Sequence, residues 1–155
     1  MPTELRDELR QRKPFANLAQ EAHLNLGRTQ ALLEEGLERV LKPHGITGTQ
    51  YNVLRILRGA APDGLCRNEI RDRLVTRMPD VTRLLDRMED AGLVTRARDS
   101  ADRRVVTTRL TPRGRKLVDS LDAPVAAEHE RALGPLGSEK LRTLVQLLTL
   151  ARQSG

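Results

Sequence analysis

Residues 76–111 read TRMPDVTRLLDRMEDAGLVTRARDSADRRVVTTRLT, two periodicities placed end to end. Val81, Leu84, Leu85 and Met88 fall at i, i+3, i+4 and i+7, the narrow apolar stripe of an amphipathic helix. Thr76 is placed to cap that helix and Pro79 to lie in its opening turn, where the N–H groups have no intrahelical partner. Gly92 stops it, with Leu93 packing behind. Residues 93–98 and 105–110 then read as short strands around a polar tip, Asp99-Ser100-Ala101-Asp102-Arg103-Arg104. The expectation is a helix followed by a basic-tipped hairpin.

Charge is concentrated on the same stretch. Residues 77–116 carry 11 Lys+Arg against 6 Asp+Glu, five of the chain's six net positive charges. A basic surface is often merely solvated, but an excess concentrated around one helix and hairpin is what phosphate binding needs. A helix with a basic wing beside it is the outline of a winged helix-turn-helix, whose helix enters the major groove of duplex DNA. Phe15 and Tyr51 are the only aromatic residues. That argues against single-strand binding by base stacking, which needs aromatic platforms, and against an RRM-like sheet surface.

Working outward, residues 1–14 are charged and end at Pro14, as a frayed helix or a disordered arm. A long helix is expected over 15–41, where Leu18, Ala22, Leu26, Thr29, Leu33, Gly36 or Leu37, and Val40 recur at threes and fours while Leu24, Leu32 and Leu41 lie off that line. Lys42-Pro43-His44-Gly45 ends it. Thr47 and Gln50 have capping-box spacing, and Ile46 and Tyr51 can staple the helix that follows, with Val53, Leu54, Ile56 and Leu57 inward. A short helix over 67–74 brings Ile70 and Leu74 to the core, one or two residues before the helix of the opening stretch. Thr111-Pro112 starts another, with Leu117, Leu121 and Val125 on one face. Pro124 in its interior should kink or break it. Gly134-Pro135-Leu136-Gly137 is a turn, and the last helix, 138–152, carries Leu141, Leu144, Val145, Leu147, Leu148 and Leu150. The terminal helices have more apolar surface than one small lobe can cover. They either cover each other within one chain or pack against a second copy, and the second is expected.

Element order and the run DVTRLLDRMEDAGLVTRARDSADRRVVTTRLTPRG resemble the MarR family of bacterial transcription regulators. The resemblance rests on Met88-Glu89-Asp90-Ala91-Gly92-Leu93-Val94, on Asp102-Arg103-Arg104, on Leu110-Thr111 with Gly114, and on Thr49-Gln50. It spans about residues 15–152. It implies a mainly α fold with a small β-hairpin wing: a winged helix-turn-helix lobe at 47–111 and a helical dimerisation region at 15–46 and 112–155, with 1–14 as an arm. It further implies a homodimer, triangular in outline, that binds a pseudo-palindromic operator, usually as a repressor. Many members release DNA when a phenolic or lipophilic molecule binds between the dimer base and a lobe.

On the expected helix, Arg77, Asp80, Thr82, Arg83 and Arg87 fall outward or on the flanks. Arginine can take guanine O6 and N7 with two parallel hydrogen bonds, and a threonine methyl can meet thymine. Arg83 and Arg77 are the first candidates for base edges, Thr82 for base or phosphate. Asp80 either reads a cytosine amino group or orients an arginine. Arg87 is a phosphate ligand or a partner of Asp86 or Asp90. The resemblance implies that Asp102 braces Arg104 for the minor groove, with Arg103 on phosphate; the bland alternative is a salt-bridged turn. Two lobes acting together place half-sites about one helical turn (~10 bp) apart.

Other features carry less. Cys66 is the single cysteine, so no intrachain disulfide can form. It reads as a structural cap or, alternatively, as a redox-sensitive thiol at a helix start. His23, His44 and His129 are far apart, and no metal or other cofactor is expected. No Gly-rich phosphate loop, G-x-S-x-G or H-E-x-x-H pattern occurs, so no enzyme is expected. There is no run of about eighteen apolar residues and no apolar signal core, so a cytoplasmic protein without membrane contact is expected. For an effector pocket of the family's kind, His23, Arg28 and Tyr51 are the polar candidates. The alternative from another class is a helical module that binds protein.

Overall fold

A computed structural model describes residues 4–155. It divides into two compact units, one ending at Gly36 and one running Leu37–Gly155.

In the first unit, a single helical turn α1 (Leu5–Glu8) precedes α2 (Leu18–Leu41), which continues beyond Gly36. Helix α2 begins at Leu18, the first residue of its apolar line and three residues after the expected start. Asn17 Oδ1 accepts the Gln20 N–H at 2.8 Å, and Gln20 Oε1 accepts the Ala16 N–H at 2.6 Å. That reciprocal cap fixes the start. Leu5 is buried, and Glu8 lies 3.7 Å from Arg28. Leu18, Leu26 and Leu32 remain exposed.

In the second unit, α2 passes into a 3-10 turn (Lys42–His44), and Gly45 reverses the chain at φ 71°. Helix α3 (Gly48–Gly59) opens on the expected capping box. Gln50 N–H donates to Thr47 Oγ1 (3.2 Å), and Thr47 N–H to Gln50 Oε1 (3.0 Å). Ile46 and Tyr51 are both buried beside it. The chain then forms a two-residue strand β1 (Leu65–Cys66), α4 (Arg67–Arg73), α5 (Thr82–Asp90), β2 (Val94–Arg98) and β3 (Val106–Leu110). The wing is a three-stranded antiparallel sheet in the order β1-β3-β2, with Arg98 opposite Val106 and Leu65 opposite Thr108. The hairpin alone was expected; two residues are too few to show a period-two signal. Gly64 permits the extra strand: its φ is +77°, and a Cβ there would lie 2.5 Å from the Thr108 carbonyl oxygen.

Two expectations fail between α4 and α5. The link is not one or two residues but all of 74–81, pinned to α3 where Val75 N–H donates to Asn52 Oδ1 at 2.9 Å. Nor does α5 open at Thr76–Pro79. Proline disfavours the helical region for the residue before it, so Met78 and Pro79 stay outside. Asp80 Oδ1 instead takes the Thr82 N–H at 2.9 Å in an Asx-turn that starts the helix. Arg77 therefore belongs to the link and does not project from the first turn.

Helix α6 (Pro112–Leu133) begins as expected, with Thr111 Oγ1 accepting the Gly114 N–H at 3.0 Å. It does not break at Pro124. That residue and Ser120, whose carbonyl loses its partner, both lie on the exposed face, where water can replace the bond. Leu121 and Val125 meanwhile anchor the helix on either side. Val118, Leu121 and Val125 join Leu54, Leu57, Ile70, Leu85, Met88 and Val94 in one core, so the first half of α6 is built into the lobe that holds α5. A 3-10 turn (Gly134–Leu136) leads to α7 (Gly137–Gln153), which buries no residue; Val145, Leu147 and Leu150 are 62, 58 and 58% exposed.

Helices α3 and α6 are also clamped by charge. Arg58 donates to Asp119 at 2.9 Å and to both oxygens of Asp122 at 2.8 Å, and Arg115 meets Asp119 at 3.1 Å. The Arg58 hydrogen bonds hold both carboxyls below the ordinary Asp range. The folded chain thus takes up protons less readily than the unfolded one. The clamp contributes fully above the ordinary Asp pKa of about 3.9 and is lost as the pH falls through that value and below. In thermal melts at stepped pH, Arg58→Met should lower Tm at neutral pH and flatten its fall below about pH 4. Parallel acid limbs for the two proteins would contradict this.

Candidate nucleic-acid interface

The interface candidates come from the head of α5, the link before it, and the tip of the wing. Along α5, Leu85 and Met88 turn into the core while Arg83 and Arg87, four residues apart on one face, are exposed. Arg87 does not pair with Asp86, because Asp86 Oδ1 is 2.6 Å from Arg96 Nη2. Arg77 and Asp80 are exposed in the link, and Thr82 is half-buried. Thr82 Oγ1 also donates to Asp80 Oδ1 at 2.6 Å, and these bonds hold the Asp80 carboxyl below its ordinary pKa.

The wing tip brings together the pair that the sequence singles out. Asp102 Oδ1 accepts from the Arg104 backbone N–H (3.0 Å) and from Nε (3.2 Å), and Oδ2 accepts from Nη2 (3.3 Å). The Arg104 side chain is nonetheless 91% exposed. Its guanidinium is held at the base and open at the end. The tip is closed by Asp99 N–H to Val105 O (2.8 Å), by Val105 N–H to Asp102 O (3.0 Å), and by Arg98 Nη1 to Arg103 O (2.6 Å). Arg103 is exposed beside them.

Three features escape a reading of the sequence. Arg96 is a lock between α5 and β2: its Nη2 meets Asp86 and also Glu89 Oε1 (3.0 Å), and its N–H meets Glu89 Oε2 (2.9 Å). Its side chain is only 23% exposed, so this arginine fixes the wing against α5 and is not part of the free basic surface. Asp86 and Glu89 share a helix face, but nothing in the sequence says which arginine crosses to them. The second feature is a cleft of about 280 Å³ lined by Arg67, Asn68, Arg71, Pro79, Asp80 and Val81. It adds α4 to the basic face. The third is the α3–α6 clamp of Arg58.

The remaining candidates scatter. His23 and Arg28 lie in the unit ending at Gly36, exposed, and Tyr51 in the core of the other. Burial pushes the Tyr51 hydroxyl up from its ordinary pKa. Cys66 is half-buried at the N-cap of α4, its N–H donating to Glu69 Oε2 at 3.0 Å. Among the described residues no group of three His, Cys, Asp or Glu could hold a metal ion, and no helix is long and apolar enough to cross a membrane.

An exposed Arg83–Arg87 face on α5, a braced wing arginine and a core shared with α6 describe a DNA-reading lobe, and comparison with known proteins agrees. A family model described as MarR family matches residues 44–105. The HTH-type transcriptional regulator FarR of Neisseria gonorrhoeae is 32% identical over 129 residues, 82% of this chain and 87% of FarR. A MarR transcription factor from Planctomyces limnophilus is 42% identical, with TM-score 0.68 over 88% of this chain and 99% of that one. The transcriptional repressor CouR, solved bound to a 23-mer DNA duplex, is 28% identical, with TM-score 0.77 over 90% of this chain and 98% of CouR. The chain belongs to the MarR family of winged helix-turn-helix proteins, DNA-binding transcriptional regulators and not enzymes.

Proposed function

We propose that the chain works as a homodimer on a pseudo-palindromic operator, with α5 of each copy in a major groove and each wing tip at the flanking minor groove. It represses transcription there until a small lipophilic or phenolic effector releases it. The observation that carries the reading is Arg104, fully presented yet held by Asp102 at the wing tip. In its assigned roles, Arg83 and Arg77 take base edges and Thr82 offers its methyl. Arg87 and Arg103 take phosphates, Asp102 braces Arg104 for the minor groove, and Asp80 serves the head of α5.

The terminal helices support the dimer. Helix α7 buries nothing of its own, and α2 leaves Leu18, Leu26 and Leu32 exposed. Apolar surface on that scale is what an obligate interface covers, and a two-fold axis lets each copy cover the other. For the effector, His23, Arg28 and Tyr51 are the proposed polar contributors. The Tyr51 hydroxyl can both donate and accept a hydrogen bond, which suits an uncharged or phenolic ligand. Release requires the effector to prefer the dimer geometry that misfits DNA; equal affinity for both would shift nothing.

Selection of bound duplexes from a random library, followed by footprinting, tests the whole reading. The expected result is two half-sites about one helical turn (~10 bp) apart, and by light scattering a mass twice that of one chain. Arg83→Ala should weaken binding about 10-fold or more and relax preference at one base position, with the mass unchanged. Footprints covering a single half-site, or an Arg83→Ala protein that binds as the parent does, would overturn it.

A further inference from the structure

We propose that Arg67, in the helix before the reading helix, grips a DNA backbone phosphate, and that Asp80 is the positioning residue that holds it there through Thr82. This rests on the DNA reading given above and extends it to Arg67, which no sequence pattern marks.

The contacts form a chain. Asp80 Oδ1 accepts hydrogen bonds from both the Thr82 N–H and the Thr82 hydroxyl. With its hydrogen committed, Thr82 Oγ1 can only accept, and it accepts Arg67 Nη1 at 3.5 Å. Arg67 is exposed, at the edge of the cleft it shares with Asn68, Arg71, Pro79 and Asp80. A guanidinium has five N–H donors in a planar fork. One is used, and the rest match the oxygens of a phosphate diester. The positive charge of Arg67 also helps to keep Asp80 ionised.

Asp80 itself is poorly suited to reading a base. One of its oxygens already carries two hydrogen bonds, and a carboxylate facing DNA is repelled by every nearby phosphate. Its presence on a face dominated by arginine is explained if it organises donors that more than offset that repulsion. Helix α5 gains a fixed start from the same group, so one carboxylate sets both the pitch of the reading helix and the reach of Arg67.

The test uses the full chain and the operator duplex that it selects from a random library, with binding followed by fluorescence anisotropy over a salt series. Arg67→Ala should weaken binding about 3- to 10-fold at every single-base variant of the operator alike and lower the salt slope by about one unit per phosphate contact removed. Asp80→Ala removes both Thr82 bonds together with the charge. In a chain that retains Arg67 it should weaken operator binding about 2- to 10-fold, although it removes a negative charge from the interface. In an Arg67→Ala chain the same change should cost less, because no guanidinium is left to hold and the repulsion is relieved. Asp80→Asn keeps an oxygen for both Thr82 bonds and should restore binding in the chain that retains Arg67. Arg67→Ala with unchanged affinity and salt slope, or Asp80→Ala costing the same in both backgrounds, overturns the proposal while leaving the DNA reading standing. A parent chain that selects no duplex overturns both.

Discussion

Replacing Arg104 by alanine should weaken operator binding by roughly 10- to 100-fold, since an arginine at a groove is worth about 1–3 kcal/mol and each 1.4 kcal/mol is a factor of ten. In the proposed dimer two copies lose the contact together, which places the effect toward the upper end. The same change should leave Tm where it was. An exposed ion pair contributes about 0–1 kcal/mol to stability, and Arg104 is almost wholly exposed against a half-exposed Asp102. The bracing pair therefore makes little sense as a stabilising device. In the proposed role it removes rotamer freedom before DNA arrives, so that less is lost on binding. A narrow minor groove with its concentrated negative potential is where such a guanidinium fits. Asp102→Asn should give a smaller loss than Arg104→Ala, because the arginine remains and only its restraint is weakened. Anisotropy titrations with a selected operator, alongside melting curves, decide the matter. Unchanged affinity for Arg104→Ala would remove the wing from the interface, and a collapsed Tm would recast the pair as structural.

Much of this site is legible in the sequence because the signals are local. Asp102 and Arg104 lie two residues apart, and the bonds between them need nothing from elsewhere in the chain. The Thr47–Gln50 box and the Thr111 cap are local in the same way and form as their spacing implies. The start of α5 is misread for a related reason. Pro79 suits an N1 position, but the Asp80 Asx-turn two residues before Thr82 is an equally local signal, and it prevails because the residue ahead of a proline resists the helical region. What stays illegible is whatever depends on distant partners. Strand β1 exists because β3 offers an edge to it, and Arg96 leaves the basic surface because Asp86 and Glu89 converge on it from another element. Counting charges therefore overstates the cations open to DNA: Arg58, Arg96 and Arg98 are already engaged within the chain. Pro124 shows the converse. A strong breaker is tolerated inside α6 because it falls on the exposed side of a helix whose other side is fixed in the core.

Gly114 is marked in the sequence only as part of a pattern after Leu110-Thr111, and the structure gives it a reason. It lies in the first turn of α6 over the end of the α5–β2 connection, where an added Cβ would overlap the Leu93 carbonyl oxygen and stand 3.1 Å from its carbon. These are backbone atoms, so no rotamer change can make room. The same carbonyl accepts the Thr111 N–H at 3.1 Å, and the Thr111 hydroxyl donates to Gly92 O at 2.6 Å. Moving α6 away to admit a methyl group would stretch both bonds. Alanine gains at most about 1 kcal/mol over glycine in a helix. Overpacking costs about 1–3 kcal/mol, and each strained hydrogen bond adds about 1 kcal/mol. The balance is a loss of about 2–3 kcal/mol, a fall in Tm of roughly 5–10 °C for a domain of this size. Gly59, at the end of α3, supplies the contrast: nothing lies within 4 Å of its added Cβ, so Gly59→Ala should hold or slightly raise Tm. Both melts belong at one protein concentration, because the Tm of the proposed dimer depends on it. Equal Tm values for the two variants would show that α6 can shift at its start without cost. A fall confined to Gly114→Ala would show that the joint between the reading helix and α6 is rigid. Through that joint any movement of the terminal helices would reach the DNA-facing surface.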